Sequence, residues 1–316
     1  MKNRRVPTIN ESNLIYLVLG ILLLTLGSVV QQINLNIGLI ITEYLLVLLP
    51  VILFLRYKNY SIREVLRLNF INFNQAVFVF FIILFSYPIA VFLNFIVSTI
   101  LSNFTNATNT GVPIPLSLNE FLISLFVIGV TPGICEEVLF RGLMLNSYEK
   151  LGKNRAIIIT AILFGLFHFN LFNLIGPMFL GIILGIVYFK TNSIIASMWG
   201  HFVNNSLALT IGYFAMQRVG ELEDIVVNNP EINQYQEIKV TIIVLFIIST
   251  ISALMLRTLI VHFPEKKEKI DNIDIDEQIE YEIEESTEVI EKINWAPVGI
   301  VILIFIFVNA MFFITL

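Results

Sequence analysis

The stretch GICEEVLFRG at 133–142 puts two adjacent carboxylates and an arginine inside an apolar run. A charge at mid-membrane is costly unless it faces a protein interior or a water-filled cavity, so each such residue is a candidate site. Glu136, Glu137, Arg141, His168 and His201 all lie deep in apolar stretches. Residues four apart stack on one helical face. Glu137 precedes Arg141 by that spacing, as Phe164 precedes His168 and His201 precedes Asn205. Glu136 is turned about 100° from Glu137, so Glu137 can hold the arginine as a buried pair while Glu136 is left free to act. Such a set has several possible uses: Glu136, His168 and His201 could be the three protein ligands of a catalytic zinc, or they could relay protons in a transporter. Cys135 has no sequence neighbour that would activate its thiol and reads as a small buried apolar residue. Phe164 reads as packing, and Asn204 is the alternative to Asn205 one helical step away. Glu43 sits near the outer start of an apolar run, where its side chain is expected to snorkel to water. His262, at a helix end, has no special role.

The elements that position these residues follow from hydropathy. The chain of 316 residues is 57% hydrophobic and only 14% charged, with a mean hydropathy of +0.84, against roughly 25% charged in a soluble domain. Apolar windows near 14–30, 37–55, 76–101, 119–148, 156–171, 173–189, 192–215, 240–261 and 295–316 approach the roughly 20 residues that cross a bilayer. The expected fold is therefore all-α, a polytopic transmembrane helical bundle of about nine spans. The fourth and fifth form a hairpin turning near Gly152, with Glu136 and His168 each 16 residues from it, so at 1.5 Å per residue both reach similar depth. His201, 11 residues past Lys190, rises about 16 Å from the same side. These positions converge on one layer.

Loop charge orients the bundle. With the N-terminus in the cytosol, Lys2, Arg4, Arg5, Arg56, Lys58, Arg63, Arg67, Lys150, Lys153, Arg155, Lys190, Arg257, Lys266, Lys267, Lys269 and Lys292 fall on one side, as the positive-inside rule expects. Only Arg218 and Lys239 fall on the other. Met-Lys-Asn-Arg-Arg before an apolar run resembles a signal sequence, but no small-x-small cleavage site follows, so it reads as a retained first helix. The segment 61–68, SIREVLRL, reads as a short helix on the membrane surface. Residues 264–294 hold 12 acidic residues against 4 Lys, which leaves the rest of the chain net basic although the whole is at -5. They read as a solvated acidic cytosolic linker, with one amphipathic helix through Ile275, Ile279 and Ile283 as the alternative. Nucleic acid is thereby excluded as an expected partner, and the single cysteine excludes an intrachain disulfide. The expected organisation is N-terminal helices and an interfacial helix over 1–115, core helices over 116–216, an outer loop and eighth span over 217–263, the linker over 264–294, and a last helix over 295–316.

EEVLFRG, FGLFH (164–168) and HFVNN (201–205) resemble, in order, the EExxxR, FxxxH and HxxxN motifs of the CAAX protease and bacteriocin-processing (Rce1-like) family of intramembrane glutamic endopeptidases. The trio covers 132–206, and Pro132 before the glutamates also fits; the acidic stretch and last helix look like an elaboration on the family core. The resemblance implies peptide-bond hydrolysis without cofactor or metal. Glu136 would be the general base that activates water, helped by His168. His201 and Asn205 would donate to the oxyanion, and Glu137 and Arg141 would orient them. The partners implied are a peptide or protein substrate and the lipid bilayer, in a multi-pass protein of the cell membrane. Richness in Ile, Asn and Phe points to a bacterial AT-rich genome, hence to a pheromone, bacteriocin precursor or membrane protein rather than a prenylated substrate. A non-enzymatic immunity or adaptor protein is the reading from another class; oligomeric state is not legible.

Overall fold

The structure, a computed structural model, describes residues 6–104, 113–218, 234–264 and 292–314, and among these every regular element is helical. Helix α1 (Ile9–Ile33) and α2 (Leu35–Tyr57) form a tight hairpin. Thr8 and Glu11 close a capping box at the start of α1, and Asn34 caps α2 by accepting from the Ile37 N–H at 3.0 Å. A one-turn α3 (Ile62–Val65) leads to α4 (Phe73–Leu101), whose own capping box uses Asn72 and Gln75. Helix α5 (Leu118–Leu151) has 34 residues, about 51 Å by helical rise, longer than a 30 Å hydrocarbon core. Then come α6 (Lys153–Leu166), α7 (Ile175–Thr191), α8 (Ile194–Met216), α9 (Gln234–Val261) and α10 (Ala296–Ile314).

Six helices among the described residues are long and apolar enough to cross a membrane, with a shorter apolar helix at Ala296–Met311, so the expectation of nine spans is not met on length and composition. Two windows explain the difference. The one at 156–171 folds as a helix of only 14 residues, because the chain leaves helical geometry at Phe167. The one at 192–215 forms α8, whose His, Asn and Ser content dilutes its apolar character. The expectation for 61–68 also changes. Val65 and Leu66 are buried in the core rather than laid on a lipid surface, and Asn146 on α5 donates to the Val65 carbonyl at 2.5 Å. Arg67 pairs with Glu149 and lies 5.0 Å over the Tyr188 ring. The segment is docked to the bundle.

Basic loop ends are gathered at one end of the bundle. Asn10 donates to the Lys292 carbonyl and Asn13 to that of Asn294, Gln75 reaches Pro264, and the Ile194 N–H donates to Arg67. The hairpin between α5 and α6 turns at Gly152 as expected, and its φ of 93° is a conformation glycine adopts without strain. Helices α6 and α7 then approach so closely that a Cβ on Gly181 would stand 2.9 Å from the Ala161 Cα. Most of 264–294, and with it the proposed linker, lies outside the described residues.

Candidate active site

Four stretches of wider, i→i+5 helix interrupt the bundle: Leu23–Gly27 in α1, Thr42–Leu48 in α2, and Leu125–Val130 and Val138–Leu145 in α5. Such bulges free carbonyls from the helical ladder and concentrate at functional sites. Here side chains bond to carbonyls of the third stretch. Thr131 Oγ1 donates to the Phe126 carbonyl at 3.1 Å, and Asn205 Nδ2 donates to the Ile128 carbonyl at 2.8 Å. Three of the four stretches border one cavity of about 810 Å³, whose wall includes Glu136, His168, His201 and Asn205 together with Glu43 and Asn204. That volume is in the range of ligand-binding clefts.

The glutamate pair splits as its helical angle requires. Glu137 is fully buried, and one of its oxygens, Oε1, accepts from Arg141 Nη1 at 2.8 Å and lies 2.9 Å from His201 Nδ1. Arg141 also donates to the Gly181 carbonyl at 3.3 Å and stands 4.8 Å over the Phe164 ring. The arginine's charge is therefore met by a carboxylate, a carbonyl and a π-face, as a desolvated guanidinium needs. A carboxylate held by arginine only accepts, so His201 must carry its proton at Nδ1, and Nε2 faces Glu136. Nε2 is 3.8 Å from Glu136 Oε2, outside hydrogen-bond range, and that oxygen is buried with no hydrogen-bond partner.

His168 lies just beyond the end of α6 and is exposed to the cavity rather than buried in packing. The Phe164 ring stands between the two histidines, 5.4 Å from the His168 ring and 5.8 Å from the His201 ring. Phe164 is thus packing, as expected, but it packs against Arg141 and both histidines at once. Asn204 and Asn205 are not alternatives: Asn204 donates to Asn205 Oδ1 at 3.0 Å, and both face the cavity. Cys135 is buried.

Glu43 corrects the sequence reading. It does not snorkel to water; it is 7% exposed, borders the same cavity as Glu136, and has one buried oxygen with no partner. A sequence signal existed. Glu43 lies nine residues past the turn at Asn34, about 13 Å of helix, so the same count that sets the depth of Glu136 makes Glu43 deep as well. The bond between His201 and Glu137 had no such signal, because it joins two helices 64 residues apart.

Among the described residues, no group of three or more His, Cys, Asp or Glu side chains is arranged to hold a metal ion.

A cavity framed by bulged helices and holding carboxylates beside two histidines marks the class, a polytopic helical membrane protein with an embedded polar site. Residues 118–207 match the protein-family model described as type II CAAX prenyl endopeptidase Rce1-like. That stretch, which includes all three motifs, is similar to the Rce1-like domains of the CAAX protease and bacteriocin-processing family. Glu43 and everything after Ser206 but Leu207 lie outside it. No curated protein and no solved structure matches the chain.

Proposed function

We propose that the protein is an intramembrane glutamic endopeptidase in which Glu136 activates water against a peptide bond of a peptide or membrane-protein substrate. The observation that supports this best is the unpartnered Glu136 Oε2 inside a cavity also bordered by His168, His201 and Asn205. A buried carboxylate oxygen without a donor is costly in a resting protein, and a water held between Glu136 and His168 would satisfy it. In the reaction the water oxygen bonds to the carbonyl carbon and its proton passes to Glu136. The oxyanion that forms takes hydrogen bonds from His201 Nε2 and from the Asn205 amide hydrogen not given to Ile128. The C–N bond then breaks, and the proton held by Glu136 goes to the leaving amine. His201 can donate from Nε2 only when doubly protonated, since Nδ1–H is committed to Glu137. The Glu137 carboxylate at Nδ1 and the oxyanion at Nε2 compensate that charge, since Glu136 holds the water proton at this stage. Arg141 acts at one remove, by holding the Glu137 oxygen that orients His201.

The test is peptidomics of cells carrying wild type or Glu136→Gln, followed by assay of the purified proteins on the peptides that differ, with and without chelator. Glu136→Gln keeps shape but cannot take a proton from water, so cleavage is lost while the fold is kept. Asn205→Ala removes one oxyanion donor and leaves activity about 10²- to 10³-fold below wild type. Near-normal turnover by Glu136→Gln overturns the mechanism, and activity that chelator removes and zinc restores hands the site to metal catalysis.

A further inference from the structure

The loop that carries His168 leaves α6 at Leu166 and joins α7 at Ile175, with only a short turn at Leu171–Asn173 between. By helical rise the end of α6 stands about 20 Å from the turn at Gly152, within the thickness of a bilayer core. Irregular backbone at that depth persists only where its N–H and C=O groups find partners in the protein or in a water-filled cavity. Phe169 adds a second cost. Its φ of 48° is in the left-handed region, which is strained for a bulky side chain by on the order of 1–3 kcal/mol.

Helix α10 supplies the partners. Asn309 Oδ1 accepts from the Leu171 N–H at 2.8 Å, and its Nδ2 donates to the Phe169 carbonyl at 3.3 Å and to Phe305 in its own helix at 2.8 Å. Since the Leu171 N–H can only donate, the amide orientation is set by the network. Asn309 is the one polar side chain in APVGIVILIFIFVNAMFFI and is 8% exposed. It lies 13 residues past Ala296, about 20 Å along the helix, which matches the end of α6. The loop is held from other sides as well. Asn94 Oδ1 accepts from the Gly176 N–H at 2.8 Å, and the Phe167 ring stacks 5.5 Å from Tyr16, whose hydroxyl donates to the Leu163 carbonyl at 2.8 Å. Among the described residues, only the Asn309 side chain takes backbone groups at both 169 and 171, immediately after His168.

We infer that Asn309 is a positioning residue for the reaction: it fixes the backbone at 169–171 so that the His168 ring stays turned into the cavity that Glu136 also borders. What His168 does once positioned rests on the endopeptidase reading. The positioning itself is a property of α10, outside the matched stretch 118–207.

The test compares purified wild type, Asn309→Leu, Asn309→Ala, His168→Ala and the double variant Asn309→Leu/His168→Ala. Leucine fills most of the volume and suits an apolar helix, whereas alanine leaves a gap; both lose the loop's hydrogen bonds, so a defect they share is not one of packing. Both are expected to lower kcat about 10- to 100-fold with KM nearly unchanged, and the double variant to be no slower than His168→Ala alone. A readout independent of cleavage is the rate at which diethyl pyrocarbonate modifies His168, followed by mass spectrometry with exposed His262 as internal reference. That rate is expected to change several-fold in both Asn309 variants and the His262 rate to stay fixed. If wild type cleaves nothing and His168→Ala changes nothing, the endopeptidase reading fails, and the modification rates still decide the role of Asn309. Folded Asn309 variants with wild-type kcat and wild-type His168 modification overturn the inference, as do losses that multiply in the double variant.

Discussion

Helices α5 and α9 have similar apolar character, with mean hydropathies of 1.8 and 2.4 over their best windows, yet 50% of that window is buried in α5 and 11% in α9. Hydropathy reports that a helix tolerates lipid; it does not report whether lipid or protein surrounds it. What separates the two is how their polar groups are used. In α5, Glu137 and Arg141 bond across to α7 and α8, and Asn146 to the segment before α4. In α9, Thr250 and Thr258 return their hydroxyls to carbonyls four residues back in the same helix, and Ser249 reaches out to the Pro88 carbonyl on α4. A helix whose polar groups are spent on neighbours must be placed accurately, and one whose polar groups are spent on itself need only be inserted.

The largest effect that would sharpen this contrast is expected at Arg141. Arg141→Ala leaves Glu137 buried with only His201 beside it, and removing one partner of a buried pair costs about 3–5 kcal/mol. Expression and thermal stability should both fall steeply. A well-expressed, stable and inactive Arg141→Ala would instead show that the guanidinium works on the substrate and not on the fold. Next comes Leu143 in α5, which has no exposed surface. Leu143→Ala removes buried methyl groups and leaves a cavity, so a loss of about 2–5 kcal/mol is expected in thermal unfolding; no measurable loss would show that this face repacks freely.

A smaller effect of opposite sign is expected at Glu43. Its buried oxygen has no hydrogen-bond partner, so replacing the carboxyl group by an apolar side chain of similar length removes a buried polar group that nothing satisfies. Glu43→Met should raise stability by about 1 kcal/mol, read as an upward shift of the melting temperature, because removing an unsatisfied buried group is worth roughly that much or more. A lower melting temperature would mean that the carboxylate has a stabilising partner after all, and would return the residue to the structural polar groups of the α5 kind.

These positions also mark how far the sequence could be read. Glu136 and His168 were legible because equal counts from one turn give equal depth, and Glu137 with Arg141 because four residues make one helical turn. Both rules are local to a helix or hairpin. His201 meeting Glu137 depends on how α8 lies on α5, which no spacing encodes. Glu43 lies near the edge of its apolar window yet nine residues from Asn34 along the helix, and in the fold it is the second of these distances that sets its depth. Asn309 had no partner at helical spacing in the sequence, unlike Asn205 four residues after His201, and its bonds to the backbone at 169 and 171 depend on how α10 lies against α6. The window at 156–171 overstates the span count for a related reason: FGLFHFN is apolar enough to extend a helix on paper, but in the fold α6 ends at Leu166 and the residues after it make the loop that carries His168.

The smallest predicted effect carries the comparison to its other end. Leu254 on α9 is 63% exposed, facing where lipid would lie, so truncating it trades contact with lipid tails for contact with lipid tails. Leu254→Ala is expected to shift stability by less than about 0.5 kcal/mol, the ordinary range for exposed positions, against several times that for Leu143→Ala in the same membrane mimetic. Both leucines carry the same side chain in helices of similar hydropathy, so the ratio of the two losses measures burial and little else. Equal losses would mean that the exposed face of α9 is covered in the membrane by another protein surface. The difference between α5 and α9 would then lie in which neighbours each helix has, and not in whether it has any.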